Sequence, residues 1–215
     1  MVDTGAGTGI ALEGLVSALD ASTRYLAVDV SQDMVDRGRK KSPDVEWTVG
    51  GAEEFLEGIP QRVQLVVAAQ AYQWMDRKRF VSACLTALVP GGLLAVMQNN
   101  RDHASSAFLA AYESLLEEHS PGYARGYRDF DIRAEIAAGF APSGGRVDTR
   151  MVRWTRPMRV RDFVRMSSSS TQVQRAIAKE GEGFLDLVRD LCTEHARDGV
   201  LDVAYTSELF LAVRG

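Results

Sequence analysis

The sequence predicts an α/β fold built on a doubly wound, mostly parallel sheet. Three observations carry that prediction. Over the first hundred residues, five short and nearly continuous apolar runs alternate with helical patterns, as parallel strands buried on both faces require. Glycines stand at every second position between the first run and the first helix, as Gly5-Ala6-Gly7-Thr8-Gly9. Two long strand-like stretches joined through helices close the chain, and they read as an antiparallel pair finishing the sheet.

The elements follow in order. Val2 leads to Asp3 and the glycines, and Leu12, Leu15, Val16 and Leu19 then repeat at helical spacing. Tyr25 to Val30 is a buried strand with an acid, Asp29, near its end. Ser31 is a candidate N-cap for a second helix that closes on Arg37, Arg39, Lys40 and Lys41, where cations suit the helix dipole. Val45 to Val49 is a short third strand, and Gly51-Ala52-Glu53 turns into a short helix. Val63 to Ala69 is the fourth strand, ending at Gln70-Ala71-Tyr72-Gln73-Trp74. Phe80, Val81, Cys84, Leu85 and Leu88 mark a helix that Pro90-Gly91-Gly92 stops, and Leu93 to Met97 is the fifth strand. Beyond it, Phe108, Leu109, Tyr112, Leu115 and Leu116 give a helix, followed by a loop carrying Tyr123, Arg125, Tyr127, Arg128 and Phe130. Val147 to Arg156 reads as a long strand. Two or more helices lie between Val160 and Arg197, broken at Ser167 to Ser170, and Leu201 to Val213 is the closing strand.

Composition narrows the function classes. At 215 residues, 46% hydrophobic and 25% charged, the chain is long enough for one globular domain. A net charge of −4 gives no overall footprint for nucleic acid or an anionic membrane. No run of 18 apolar residues and no secretory signal pattern is present, so a cytoplasmic protein is expected. Cys84 and Cys192 fall on apolar helical faces and read as buried thiols. No His/Cys/Asp spacing reads as a metal site.

In open α/β sheets, ligands bind beyond the carboxyl ends of the strands. Those ends carry Asp3 with the glycines, Asp29, the Gly51 turn, Gln70 to Trp74, and Gln98 to Arg101. The third position of a dinucleotide fingerprint is Ile10, and no lysine follows as a phosphate-binding loop requires. Asp29 stands where a carboxylate can accept both hydroxyls of a ribose.

The stretch Asp3-Thr4-Gly5-Ala6-Gly7-Thr8-Gly9 resembles motif I of the class I S-adenosylmethionine-dependent methyltransferases, and Asp29 resembles their acid after the second strand. Gly51-Ala52-Glu53 and Leu88-Val89-Pro90-Gly91-Gly92-Leu93 are similar to two further turns of that family. Ala68-Ala69-Gln70-Ala71-Tyr72-Gln73-Trp74-Met75-Asp76 resembles a segment of its small-molecule branch, which includes trans-aconitate methyltransferase-like proteins.

The resemblance implies a Rossmann-like sheet of seven strands with the last antiparallel, and helical insertions in the C-terminal half. It implies one domain over residues 1–215, with 1–102 as the cofactor-binding half and 103–215 as substrate-side helices and closing strands. S-adenosylmethionine would be the cofactor and S-adenosylhomocysteine the product. Asp3, Gly5, Ala6, Gly7 and Gly9 would lie along the methionine part, Asp29 would hold the ribose, and Val30 would also touch the cofactor. Ala52 and Glu53 would flank the adenine, with Gln70 and Ala71 near the sulfonium. Tyr72, Trp74 and Arg101 would face the acceptor. The family carries some tens of residues before motif I, a segment this sequence lacks, so a more open site is expected.

The family's histidine before the tryptophan is Gln73 here, which can orient a substrate but cannot take a proton. His103 is then a candidate base, although a solvated loop histidine is its simpler reading. Arg125, Arg128, Arg153 and Arg156 could clamp an acidic substrate, though scattered arginines are more simply surface charges. The expected acceptor is a small molecule methylated on a carboxylate or hydroxyl oxygen, without nucleic acid or membrane. Two alternatives stand beside it: a cyclase or isomerase using the same fold, and a non-catalytic copy that binds cofactor or a partner.

Overall fold

A computed structural model describes residues 1–20, 22–127 and 129–215. Arg128, one of the candidate clamp residues, lies outside the described residues. The chain forms two compact units that interleave along the sequence. The first comprises residues 1–98, 130–151 and 208–215, and the second residues 99–129 and 152–207.

The first unit holds the sheet. Its strands are β1 (Val2–Thr4), β2 (Leu26–Asp29), β3 (Glu46–Val49), β4 (Val63–Ala69) and segments of three long strands, β5 (Leu88–Arg101), β6 (Arg146–Arg159) and β7 (Val200–Val213). Their order is β3-β2-β1-β4-β5-β7-β6. The first five pair in parallel, with Val2 opposite Leu26 and Val66, and Val66 opposite Leu94. β7 runs antiparallel to β5: Gly91 N–H donates to the Arg214 carbonyl and Arg214 N–H to that of Gly92. The expected seven-stranded, mostly parallel sheet is therefore present.

Why these strands are buried on both faces is visible at β2. Ala27 packs with Leu12 of α1 (Ile10–Ala18), Val35 of α2 (Gln32–Lys41) and Trp47. Its neighbour Val28 points to the opposite layer, as strand alternation demands. That layer holds Leu56 of α3 (Ala52–Glu57), Phe80 and Cys84 of α4 (Arg77–Ala87), and Ile136 and Phe140 of α6 (Ile132–Phe140). Ser31 caps α2 as expected, its hydroxyl accepting from Met34 N–H at 3.4 Å.

Two elements differ from expectation. The strand β5 begins at Leu88, so Pro90-Gly91-Gly92 lies inside it as an irregularity, with a register shift opposite Val63 and Leu65. Helix α6 falls in what reads as a connection. Ile132, Ile136 and Phe140 recur at four-residue spacing on its buried side, and Asp131 caps it.

The second unit contains the outer segments of β5, β6 and β7 with α5 (Ala107–His119), α7 (Val160–Ser168), α8 (Thr171–Glu180) and α9 (Phe184–His195). Phe108, Tyr112, Phe163, Val173, Phe184 and Val203 centre its core. The serine run works as a break: α7 ends within it, and Ser170 caps α8 by accepting from Val173 N–H at 3.3 Å. Cys84 and Cys192 are buried and unpaired, and burial pushes both thiols upward in pKa, that of Cys192 to about 12. No helix among the described residues is long and apolar enough to cross a membrane.

Candidate functional site

The carboxyl ends of β1, β2 and β4 converge on the glycine turn. Gly5 and Ala6 N–H both donate to the Val28 carbonyl, at 2.8 and 3.1 Å, which folds the turn over the end of β2. Asp29 then fixes it from the side. One carboxylate oxygen accepts from Gly7 N–H at 2.8 Å and the other from Ser31 N–H at 2.9 Å. The acid expected at a ribose thus also ties motif I to the start of α2.

Backbone conformation explains why glycine is needed. Gly5 has φ +64°, and a Cβ there would stand 2.5 Å from the Ala71 Cβ. Both the left-handed backbone and the close approach exclude a side chain. Gly7 has φ +56°, but a Cβ there would meet nothing within 4 Å, so this part of the turn borders open space.

Asp3 is the electrostatic anomaly. It is 1% exposed, and neither carboxylate oxygen has a hydrogen-bond partner among the described residues. Burial, reinforced by the Asp29 charge, raises its pKa from 3.8 to about 7. Folding therefore keeps a proton that the unfolded chain has released between those values. Asp3's contribution to stability is greatest below pH 3.8 and is lost as pH rises toward 7. Asp3→Asn is accordingly expected to melt higher than the parent at pH 8, by up to about 4 kcal/mol of stability at 1.36 kcal/mol per pKa unit. The difference should vanish near pH 4. Equal melting temperatures at pH 8 would show that Asp3 finds a partner in solution.

The end of β4 is held in an uncommon conformation. Gln70 adopts φ +58°, with its N–H on the Met97 carbonyl at 2.8 Å and its own carbonyl accepting from Gln73 Nε2 at 2.8 Å. A non-glycine residue in this region stores strain of order 1–3 kcal/mol, a cost that concentrates at functional sites. Gln73 Oε1 is buried without a hydrogen-bond partner among the described residues.

The sequence-predicted residues fare differently. Asp3, Gly5, Ala6, Gly7, Gly9, Asp29 and Val30 come together on this rim, and Val30 is 78% exposed. Gly50 N–H donates to the Asp29 carbonyl, which brings the Gly51-Ala52-Glu53 turn beside them. Ala52 and Ala71 are buried, so they border the rim without offering much surface. Glu53 accepts from Asp76 N–H at 2.9 Å and so also secures the start of α4.

Tyr72 is buried in the core. It is 1% exposed, packs edge-on against Phe80, and donates its hydroxyl to Glu135 at 3.0 Å, so it is a core residue rather than an acceptor wall. Trp74 is 68% exposed and stays available. Arg101 and His103 belong to the second unit. Arg101 lies 4.9 Å from the centre of the Tyr112 ring and 3.7 Å from the buried Glu113 carboxylate, so it is engaged internally rather than free for an acceptor. His103 follows β5 in a turn where, beside the hydrogen bonds from Arg125, its charge helps lower the pKa of Glu117. Sequence reasoning missed Ile10 and Val49, exposed apolar side chains that follow Gly9 and close β3. Their signal was an apolar residue at a strand or turn end where solvent, not core, is the neighbour. Among the described residues, no group of His, Cys, Asp and Glu could hold a metal ion.

A hydroxyl-grade acceptor at Asp29, an unpaired buried carboxylate at Asp3 and a left-handed glycine turn bordering open space fit a cationic, ribose-bearing cofactor. Residues 1–92 match the family model described as a methyltransferase domain. Those residues carry a methyltransferase domain, and S-adenosylmethionine is the cofactor of the methyltransferase it defines. The chain is 26% identical over 219 residues to an uncharacterized methyltransferase of Schizosaccharomyces pombe, covering 97% of this chain and 82% of that protein. It is 33% identical over 107 residues to the trans-aconitate 2-methyltransferase of Azoarcus sp., covering 49% of this chain and 41% of that enzyme. A solved structure of a candidate type II methyltransferase from Anaeromyxobacter dehalogenans shares the fold, with a TM-score of 0.70 and 21% identity over 99% of this chain and 88% of that one.

Proposed function

We propose that this methyltransferase acts on a small molecule and methylates an oxygen, most simply a carboxylate. The observation that carries the reading is the Gly5–Gly7–Asp29 cradle with the unpaired Asp3 carboxylate beneath it. When bound, the cofactor supplies a methyl group on a sulfonium, an electrophile already activated. The protein's own work is then to bind, align and exclude water, and orientation alone can be worth roughly 7–11 kcal/mol.

Asp3 would be ionised by a neighbouring cationic amine and would hold it by charge. Asp29 keeps lone pairs on both oxygens for the ribose hydroxyls while it holds the turn. Val30, Ala52 and Glu53 would flank the adenine, and Gln70 and Ala71 would border the reacting sulfur. Trp74 offers the exposed apolar surface for an acceptor, and Gln73 Oε1 a buried acceptor for one of its donors.

Support for a carboxylate comes from what the rim lacks. Gln73 stands where a proton acceptor would be useful, and an amide cannot take a proton near neutral pH. A carboxylate nucleophile needs none. The Azoarcus relative's name specifies a carboxylic acid substrate, which agrees with this choice. The test is transfer of labelled methyl from S-adenosylmethionine across panels of small carboxylic acids, phenols and amines. Methyl esters should form from acids. Transfer to amines alone, or cofactor binding with no net transfer to any panel, would contradict the reading.

A further inference from the structure

The second unit carries a concavity lined by arginines. Between Arg153 and Arg165 the chain places five arginines against one acid, Asp162, in a protein whose net charge is −4. This is a local reversal of sign, not a reflection of overall composition. The end of β6 and the first turns of α7 flank an open concavity of about 510 Å³ there. Arg156, Arg159, Arg165 and the single acid Asp162 line it, with Met158 and Met166 supplying apolar surface. That volume falls within the ordinary span of small-ligand sites, roughly 300–1,000 Å³.

The single acid is already occupied. Arg165 donates to the Asp162 carboxylate at 3.1 Å, and Arg161 lies 3.9 Å from the same oxygen. Arg153 is neutralised separately by Asp102 at 3.8 Å. Arg156 and Arg159 have no carboxylate within 4 Å among the described residues. Two guanidinium forks therefore line one concavity without an ion-pair partner of their own among the described residues, beside a third that is paired with Asp162. Each fork can take a phosphate or carboxylate bidentately, and the thioether surface suits an apolar body between the anionic groups.

We propose that this cavity binds a small polyanion carrying at least two phosphate or carboxylate groups. The inference stands on the second unit alone and does not rest on the choice of methyl acceptor. Calorimetric titration of the full chain with inorganic tripolyphosphate and, separately, with citrate tests it and distinguishes phosphate from carboxylate recognition. At least one should bind at a single site, and binding should weaken as salt is raised from about 50 to about 300 mM, because the Debye length shortens and screens the ion pairs. The Arg156→Ala/Arg159→Ala variant should lose at least about tenfold in affinity, the size of one charged contact or more, and S-adenosylhomocysteine binding should be unchanged. Arg133→Ala/Arg175→Ala, which removes two exposed arginines elsewhere, should leave polyanion affinity unaltered. Circular dichroism and melting temperature confirm that each variant is folded. No binding of either probe, or equal loss in the two double variants, would overturn the proposal.

Discussion

Gly5→Ala is expected to lower both stability and cofactor affinity, with the larger loss in affinity. An alanine at φ +64° costs about 1–2 kcal/mol in backbone energy. The added Cβ would also stand 2.5 Å from that of Ala71, and relieving such overpacking typically costs about 1–3 kcal/mol. Relief requires the motif I turn to move away from the end of β4. That movement strains the Gly5 and Ala6 hydrogen bonds to Val28 and displaces Gly7 from Asp29. A folded variant that binds S-adenosylhomocysteine as tightly as the parent would show that the turn is not where the cofactor lies. Gly7→Ala provides the comparison, because its Cβ would meet no protein atom. Its effect on stability should be the backbone cost alone, while its effect on binding reports what occupies the open side.

Asp29→Ala is expected to weaken S-adenosylhomocysteine binding by about 1.5–3 kcal/mol, the scale of hydrogen bonds to a charged group. Two causes combine. The ribose hydroxyls lose a charged acceptor, and the Gly7 and Ser31 N–H groups lose the oxygens that hold the turn. Asp29→Asn separates them, since its carbonyl oxygen can keep one N–H while the amide nitrogen cannot replace the other acceptor. Asparagine should therefore fall between aspartate and alanine in affinity. Equal affinity across all three would place the ribose elsewhere.

Much of the first unit was legible because its signals are local. The apolar run Val63 to Ala69 is a strand with the predicted bounds, since a strand buried on both faces leaves no alternating pattern to confuse. The glycine triplet and Asp29 were legible for a different reason: their residue types are demanded by backbone geometry and charge. What escaped the sequence depends on distant partners. Tyr72 sits in a site-bordering segment, yet Glu135, 63 positions further along the chain, takes its hydroxyl and the core takes its ring. Helix α6 was obscured because the preceding aromatic loop masks its short repeat of Ile132, Ile136 and Phe140. Pro90 argued for a break, but the irregular start of β5 places it where the sheet already shifts register. The unpaired state of Asp3 could not be read at all, since an acid at a strand end gives no sign of whether a donor faces it.

The central claim is that the rim formed by Asp3, the glycine turn and Asp29 holds the sulfonium cofactor. Calorimetric titration of the full chain with S-adenosylhomocysteine, repeated with Asp29→Ala, tests it most directly. One-site binding with a dissociation constant well below ~1 mM, weakened by the factor of about 12 to 150 that 1.5–3 kcal/mol represents, is the predicted result. Absence of binding at ~1 mM ligand, or binding indifferent to Asp29, would contradict it.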